Sequence, residues 1–252
     1  MSILGNEKAR SKVEKLLYDD VSPSNTAGRV NKEMKGEFKT SKNTIYRYID
    51  SVYGRKIEYH RKNIKYKHRS KVKVNKLEDR INISKRPKIA DKRKRYGDAE
   101  GDFVVSSKAG SGVLLVVVDR KIRKTFLKKI LPVSIVNVHE ALLEIKQKYI
   151  GMKTLTLDND ILFRKHAELQ ELLKVKIYFC NPYHSWEKGT VENTNKYIRR
   201  YIKKRSDISM YTDEYIQEVE DKLNRRPMKC LDYNTPEEEF AKYLKRRKQK
   251  ES

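Results

Sequence analysis

The spacing of apolar residues changes period along this chain, and the changes divide it into predicted elements. Near the start, Val13, Leu16 and Leu17 fall at helical intervals and predict a helix over Glu7 to Leu17. Ser22-Pro23 supplies an N-cap and a proline at the first helical position, opening a second helix through Met34. Ser41 caps a third, with Ile45, Ile49 and Val52 on one face and Tyr46, Arg47 and Tyr48 toward the others. Further on the period shortens. Asp102 to Val105, Gly112 to Asp119 and Lys124 to Ile130 read as three strands joined by tight turns. Val113 to Val118 is continuously apolar, as in a strand covered on both faces. Ser134 then caps a helix with Ile135, Val138, Leu142, Ile145 and Tyr149 in one stripe. Strand Met152 to Leu157, helix Arg164 to Leu173, strand Val175 to Cys180 and a helix carrying Glu192 follow. Two more helices span residues 211 to 245, started by Thr212 and by Thr235-Pro236-Glu237-Glu238.

The stretch from Gly54 to Arg95 has little apolar period. It holds 18 Lys or Arg against four Asp or Glu, a local charge of +14 within a whole-chain excess of +25. Such a field implies a polyanionic partner, by default nucleic acid. Tyr59, His60, Tyr66 and His68 are interleaved with the charges, as in segments that follow a phosphate backbone. A charge run is ordinarily a solvated linker. Its position between two predicted folded regions favours phosphate contact through Lys62, Lys65, Lys67, Arg69, Lys92 and Arg93. Membrane insertion is excluded as a reading, since the longest apolar run is the six residues Val113 to Val118. The start, Met1 to Asn6, has no signal-peptide pattern, and Cys180 and Cys230 are too few for a disulfide framework. These features predict a reduced cytoplasmic protein, working at the nucleoid, with both thiols as packing residues. For residues 1–53, pattern alone fits a helix-turn-helix and a plain helical bundle or dimerisation arm equally well.

Three carboxylates stand out. Asp102 opens a strand, Asp158 ends one, and Glu192 lies on a helix with 33 residues between it and Asp158. Two aspartates and a glutamate so placed suit a hard divalent cation that keeps positions open for phosphate and water. Val191, Ile198 and Ile202 form the packing stripe of the Glu192 helix, and Glu192 stands about 100° round from it. Asp98, Asp119 and Asp160 are neighbouring carboxylates without that placement; Asp119 reads as a turn residue beside Arg120. His184 fits a substrate contact and a loop cap equally well, and Trp186 reads as packing.

In their surroundings Asp102, Asp158 and Glu192 resemble the catalytic triad of DDE transposases, whose fold resembles ribonuclease H and retroviral integrase. The text from Asn181 to Lys196 is similar to bacterial transposases of the insertion-sequence-thirty family. So is Leu223-Asn224-Arg225-Arg226-Pro227-Met228-Lys229-Cys230-Leu231 with Tyr233 and Thr235-Pro236, and the resemblance runs from about Ser22 to about Tyr243. It implies an α/β catalytic core of the ribonuclease-H-like, integrase type over residues 97–210, which the predicted order of three strands and then alternating helix and strand suits. Residues 1–53 become a helix-turn-helix-like DNA reader, with Ala27-Gly28-Arg29 and Thr44 to Ile49 matching and Tyr46 or Arg47 in the groove. Residues 54–96 become a basic linker and 211–252 a helical extension. The activity implied is strand cleavage at element ends and strand transfer into target DNA. It would use Mg²⁺, or Mn²⁺ as substitute, as two ions on Asp102, Asp158 and Glu192. Lys196 and Arg199 would hold a phosphate. The implied partner is double-stranded DNA, bound as a homo-oligomer.

Four departures accompany the resemblance. Asp160 and Lys196 stand where the family has glycine, Ala99 where it has tryptophan, and the additional N-terminal helix-turn-helix of fuller members is not seen. Asp160 is expected to meet a left-handed backbone requirement there. Two alternatives stay open: a silent DNA-binding regulator derived from a transposase, and a nuclease that cuts without joining.

Overall fold

The computed structural model describes residues 3–62, 80–107, 110–181 and 184–251. Lys65, Tyr66, Lys67, His68 and Arg69 lie outside these, as do the side chains of Tyr59, His60, Lys62 and Trp186. Among the described residues the helices are α1 (Glu7–Tyr18), α2 (Pro23–Glu33), α3 (Lys42–Asp50), α4 (Arg55–Lys62), α5 (Lys88–Asp91), α6 (Ile135–Lys148), α7 (His166–Leu173), α8 (Gly189–Tyr201), α9 (Asp213–Asn224) and α10 (Pro236–Glu251). The strands are β1 (Asp98–Val105), β2 (Val113–Asp119), β3 (Thr125–Ile130), β4 (Thr154–Leu157) and β5 (Lys176–Phe179). They form two compact units: Met1–Ser70 with Arg225–Ser252, and Lys71–Asn224.

In the helical unit, Asn6, Ser22 and Ser41 cap α1, α2 and α3 through their side-chain oxygens. Ala9, Val13, Leu17, Ala27, Val30, Ile45 and Ile49 make its core. Three expectations change here. Ile57 of α4 is buried in the same core, so the bundle runs past residue 53 into the stretch read as linker. Tyr48 turns inward rather than outward, because its hydroxyl reaches Glu14 while its ring packs beside Ile45 and Ile49. Val52 is exposed rather than packed. The Ala27-Gly28-Arg29 match also has a local explanation. A Cβ at Gly28 would enter the ring of Tyr233, and Arg29 grips Glu238 with two nitrogens at 2.9 and 2.7 Å. Those residues dock the C-terminal segment.

The sheet unit is a single five-stranded sheet in the order β3-β2-β1-β4-β5, antiparallel across β3, β2 and β1 and parallel across β1, β4 and β5. This is the ribonuclease-H-like arrangement. Val104, Leu114, Val116 and Val118 face α8 and α9 through Val191, Ile198, Ile202, Ile216 and Val219. By strand alternation Leu115 and Val117 face the opposite side, where α6 packs on β2 and β3.

Both sheet edges have backbone donors answered from outside the sheet. On β3 the backbone N–H of Thr125 donates to Asn224 and that of Leu127 to Glu220, both side chains of α9. On β5 the N–H of Phe179 donates to the carbonyl of Ile81. Unpaired edge groups otherwise recruit other strands. This edge duty places α9 with the sheet, so the 211–252 stretch read as one extension is divided between the units. It also draws residues 80–96 of the linker onto the sheet. Arg86 is buried and bonded to Thr156 and Asp91, and Arg95 pairs with Asp98, whereas Lys92 and Arg93 are exposed. No described helix is long and apolar enough to cross a membrane.

Candidate active site

The parallel pairing of β1 and β4 sets Asp98 against Thr154 and Glu100 against Thr156. Two places further in the same register, Asp102 comes opposite Asp158, just past the carboxyl end of β4. Strands lie about 4.8 Å apart, so the two carboxylates are neighbours without any long-range coincidence. Carboxyl ends of parallel strands are where open α/β sheets hold their ligands.

A single ammonium joins them. Lys188, the residue before α8, places Nζ 3.0 Å from Asp102 Oδ1 and 3.2 Å from Asp158 Oδ2. It also donates to the carbonyl of Gly101 at 3.1 Å. Burial works to lower the pKa of Lys188, but Asp102 and Asp158 outweigh it and hold it at about 12. For Asp102, burial pushes the carboxyl above its usual range, Lys188 opposes this and Asp158 adds to it. The other oxygen of Asp102, Oδ2, accepts from Asn195 Nδ2 at 2.7 Å.

Lys188, Glu192 and Asn195 are spaced by four and three residues, which puts all three on one face of α8 within about 60°. Glu192 therefore lies, along the helix axis, between the two residues that hold Asp102 and on their side of it. Its side chain is 38% exposed and meets Lys196 at 3.8 Å. Arg199 bonds the carbonyls of Lys203 and Val105 nearby. Among the described residues no three His, Cys, Asp or Glu side chains converge closely enough to cage a metal. The donor chemistry still suits a hard cation: Asp102 and Asp158 supply oxygens alone and already bracket a positive charge.

What fixes α8 against β1 is Glu100. Fully buried, it accepts from the backbone N–H groups of Thr190 and Val191 at 2.9 Å each and from Arg120. A carboxylate at a helix N-terminus satisfies orphan donors and meets the positive end of the helix dipole. Neither Glu100 nor Lys188 follows from the sequence reading, although the four-residue step from Lys188 to Glu192 is a visible signal that they share a face.

Asp160 corrects an expectation. Its φ is −66°, so no left-handed conformation is demanded, and its carboxylate caps the following turn by accepting from Leu162 N at 2.9 Å. Burial raises its pKa. Asp119, expected as a turn residue, is buried and accepts from Gly97, Lys121, Ile122 and Tyr149. Cys180 is buried, its thiol pushed up to about 12 by burial, whereas Cys230 is exposed rather than packed. Tyr46 and Arg47 are exposed on α3.

Sheet order and paired aspartates define the class of fold, a ribonuclease-H-like core with carboxylates at its strand ends, and the relatives of the chain give its work: DNA transposition. The chain is 36% identical over 246 residues to the transposase for insertion sequence element IS4351 of Bacteroides fragilis, covering 93% of this chain and 73% of that protein. It is 35% identical over 161 residues to the transposase InsI for insertion sequence element IS30A of Escherichia coli, covering 62% of this chain and 41% of that protein. The chain belongs to the insertion-sequence transposases. The catalytic core domain of BIV integrase superposes with a TM-score of 0.48 at 19% identity, over 62% of this chain and 99% of that one. No family model matches the chain.

Proposed function

We propose that the sheet unit cuts DNA at element ends and joins them to target DNA, with Asp102, Asp158 and Glu192 as the catalytic carboxylates. The observation that carries this is the pairing of Asp102 and Asp158 across β1 and β4 around one positive charge. Mg²⁺ or Mn²⁺, as two ions held by these carboxylates, would supply charge neutralisation and activation of water or a 3′-hydroxyl. The remaining work falls to the chain. Asn195 orients Asp102, and Lys196 and Arg199 hold a phosphate so that the scissile bond faces the carboxylates. The helical unit reads the element end through Tyr46 and Arg47, exposed basic residues of the 54–96 stretch such as Lys92 and Arg93 add sequence-independent phosphate contacts, and the protein works as a homo-oligomer on double-stranded DNA at the nucleoid.

The test is nicking of end-bearing duplexes with Mg²⁺, Mn²⁺ or chelator, by the native chain and by Glu192→Gln. The substitution keeps the size of the side chain and removes its charge. Nicking should need metal and vanish in the variant while DNA affinity stays within about twofold. Tight binding of ends without nicking under either metal would leave a DNA-binding regulator as the better reading.

A further inference from the structure

Lys188 has no task in the activity just described, yet it is the most fully engaged side chain of the site. Its three N–H donors have three acceptors, Gly101 O, Asp102 Oδ1 and Asp158 Oδ2, and the side chain is only 7% exposed. Lys196, by contrast, is 63% exposed and reaches Glu192 at 3.8 Å. We propose that Lys188 is a built-in counter-ion: its ammonium holds the place between Asp102 and Asp158, and a divalent cation binds there only as that ammonium withdraws. The inference rests on the reading that these two aspartates hold the metal.

The physical case is short. Two close carboxylates without a cation repel each other, so a site that must stay folded before metal arrives needs a resident charge. An ammonium and a divalent ion cannot both sit among the same oxygens, because their mutual repulsion is steep at such separations. Lys188 lies just before α8, where Glu100 fixes the backbone, but its stem has four rotatable carbons. The head can leave while the helix stays. Once displaced, a cation that gave up two carboxylates needs another anion, and a DNA phosphate beside the site supplies one. Metal and DNA binding then support each other through Lys188, and the coupling is reciprocal.

The full chain and Lys188→Met are compared by calorimetric Mn²⁺ titration, with and without a short random-sequence duplex, and by melting in chelator. Without DNA, Lys188→Met should bind Mn²⁺ about tenfold more tightly or better. Added duplex should tighten Mn²⁺ binding in the native chain and much less in the variant. In chelator the variant should melt lower, and Mn²⁺ should raise its melting point further than that of the native chain. If Lys188→Met fails to fold without metal, the double variant Lys188→Met/Asp102→Asn decides the matter: removing one carboxylate with the ammonium should restore most of the loss, and no restoration overturns the counter-ion role. Equal or weaker Mn²⁺ binding by Lys188→Met overturns the inference and leaves the metal site standing. No Mn²⁺ binding by either protein removes the metal site and the inference together.

Discussion

Glu100 and Asp102 leave the same face of one strand two residues apart, and the protein treats them in opposite ways. Glu100 is fully buried, and two of its three donors are backbone amides that cannot move without unwinding α8. Asp102 keeps 23% of its side chain exposed, and its donors are a lysine on a flexible stem and one asparagine. The first carboxylate is a joint and the second is a site. Both are carboxyl groups set into the same strand face, so residue type alone does not separate them. The mobility of the groups that answer the charge does.

The sharpest way to break this contrast is to neutralise each carboxylate in turn. Asp102→Asn should reduce DNA nicking on the order of 10⁴-fold, measured as single-turnover cleavage under Mg²⁺. Its stability should fall little, because Lys188 keeps Asp158 and the Gly101 carbonyl. Glu100→Ala should do the reverse at first order. It strands a buried guanidinium and two helix amides, so denaturant unfolding should show a loss of about 3–5 kcal/mol. Nicking by the folded fraction should persist. Equal stability losses in the two variants would erase the distinction between joint and site.

A smaller effect sharpens the comparison from the helical unit, where Arg29 and Glu238 form a half-exposed joint. The Arg29 guanidinium holds the Glu238 carboxyl at about 2, against 4.5 for an ordinary glutamate. A pKa depressed in the folded state adds stability above pH 4.5 that is lost as pH falls through 2. Native protein should therefore melt above Glu238→Gln at neutral pH, with the gap closing across that window. A gap independent of pH would mean the ion pair is idle.

How much of this was legible in the sequence depends on the distance over which each residue finds its partner. The stripe of Val191, Ile198 and Ile202 is local, and all three are fully buried as their spacing implies. The strands and their order are local too, through the apolar run of β2 and the alternation that follows. Glu100 was illegible because its partners lie 20 and 90 residues away, and an isolated glutamate in a strand looks the same whether solvated or buried. Tyr48 misled because its polar tip suggests an outward face while Glu14 satisfies that tip inside. The edge of β3 needed Glu220 and Asn224, and nothing near those residues announces that need. Asp102 and Asp158 stood out by their places on predicted strands and then by resemblance; the register of β1 and β4 supplies the physical reason that they meet.

The grip of Arg29 on Glu238 has a consequence for the ribosome. The two residues are 209 positions apart, so at about 5–20 residues per second the first helices emerge roughly 10 to 40 s before their last partner exists. The entire sheet unit is threaded out in that interval. Gly28 waits with a face that the Tyr233 ring comes to cover. A chain that stalls or is cut short beyond the sheet would carry its paired carboxylates while its helical unit lacked this buttress. Synthesis of Tyr233 and Glu238 is thus the moment at which the helical unit gains the partners of Gly28 and Arg29.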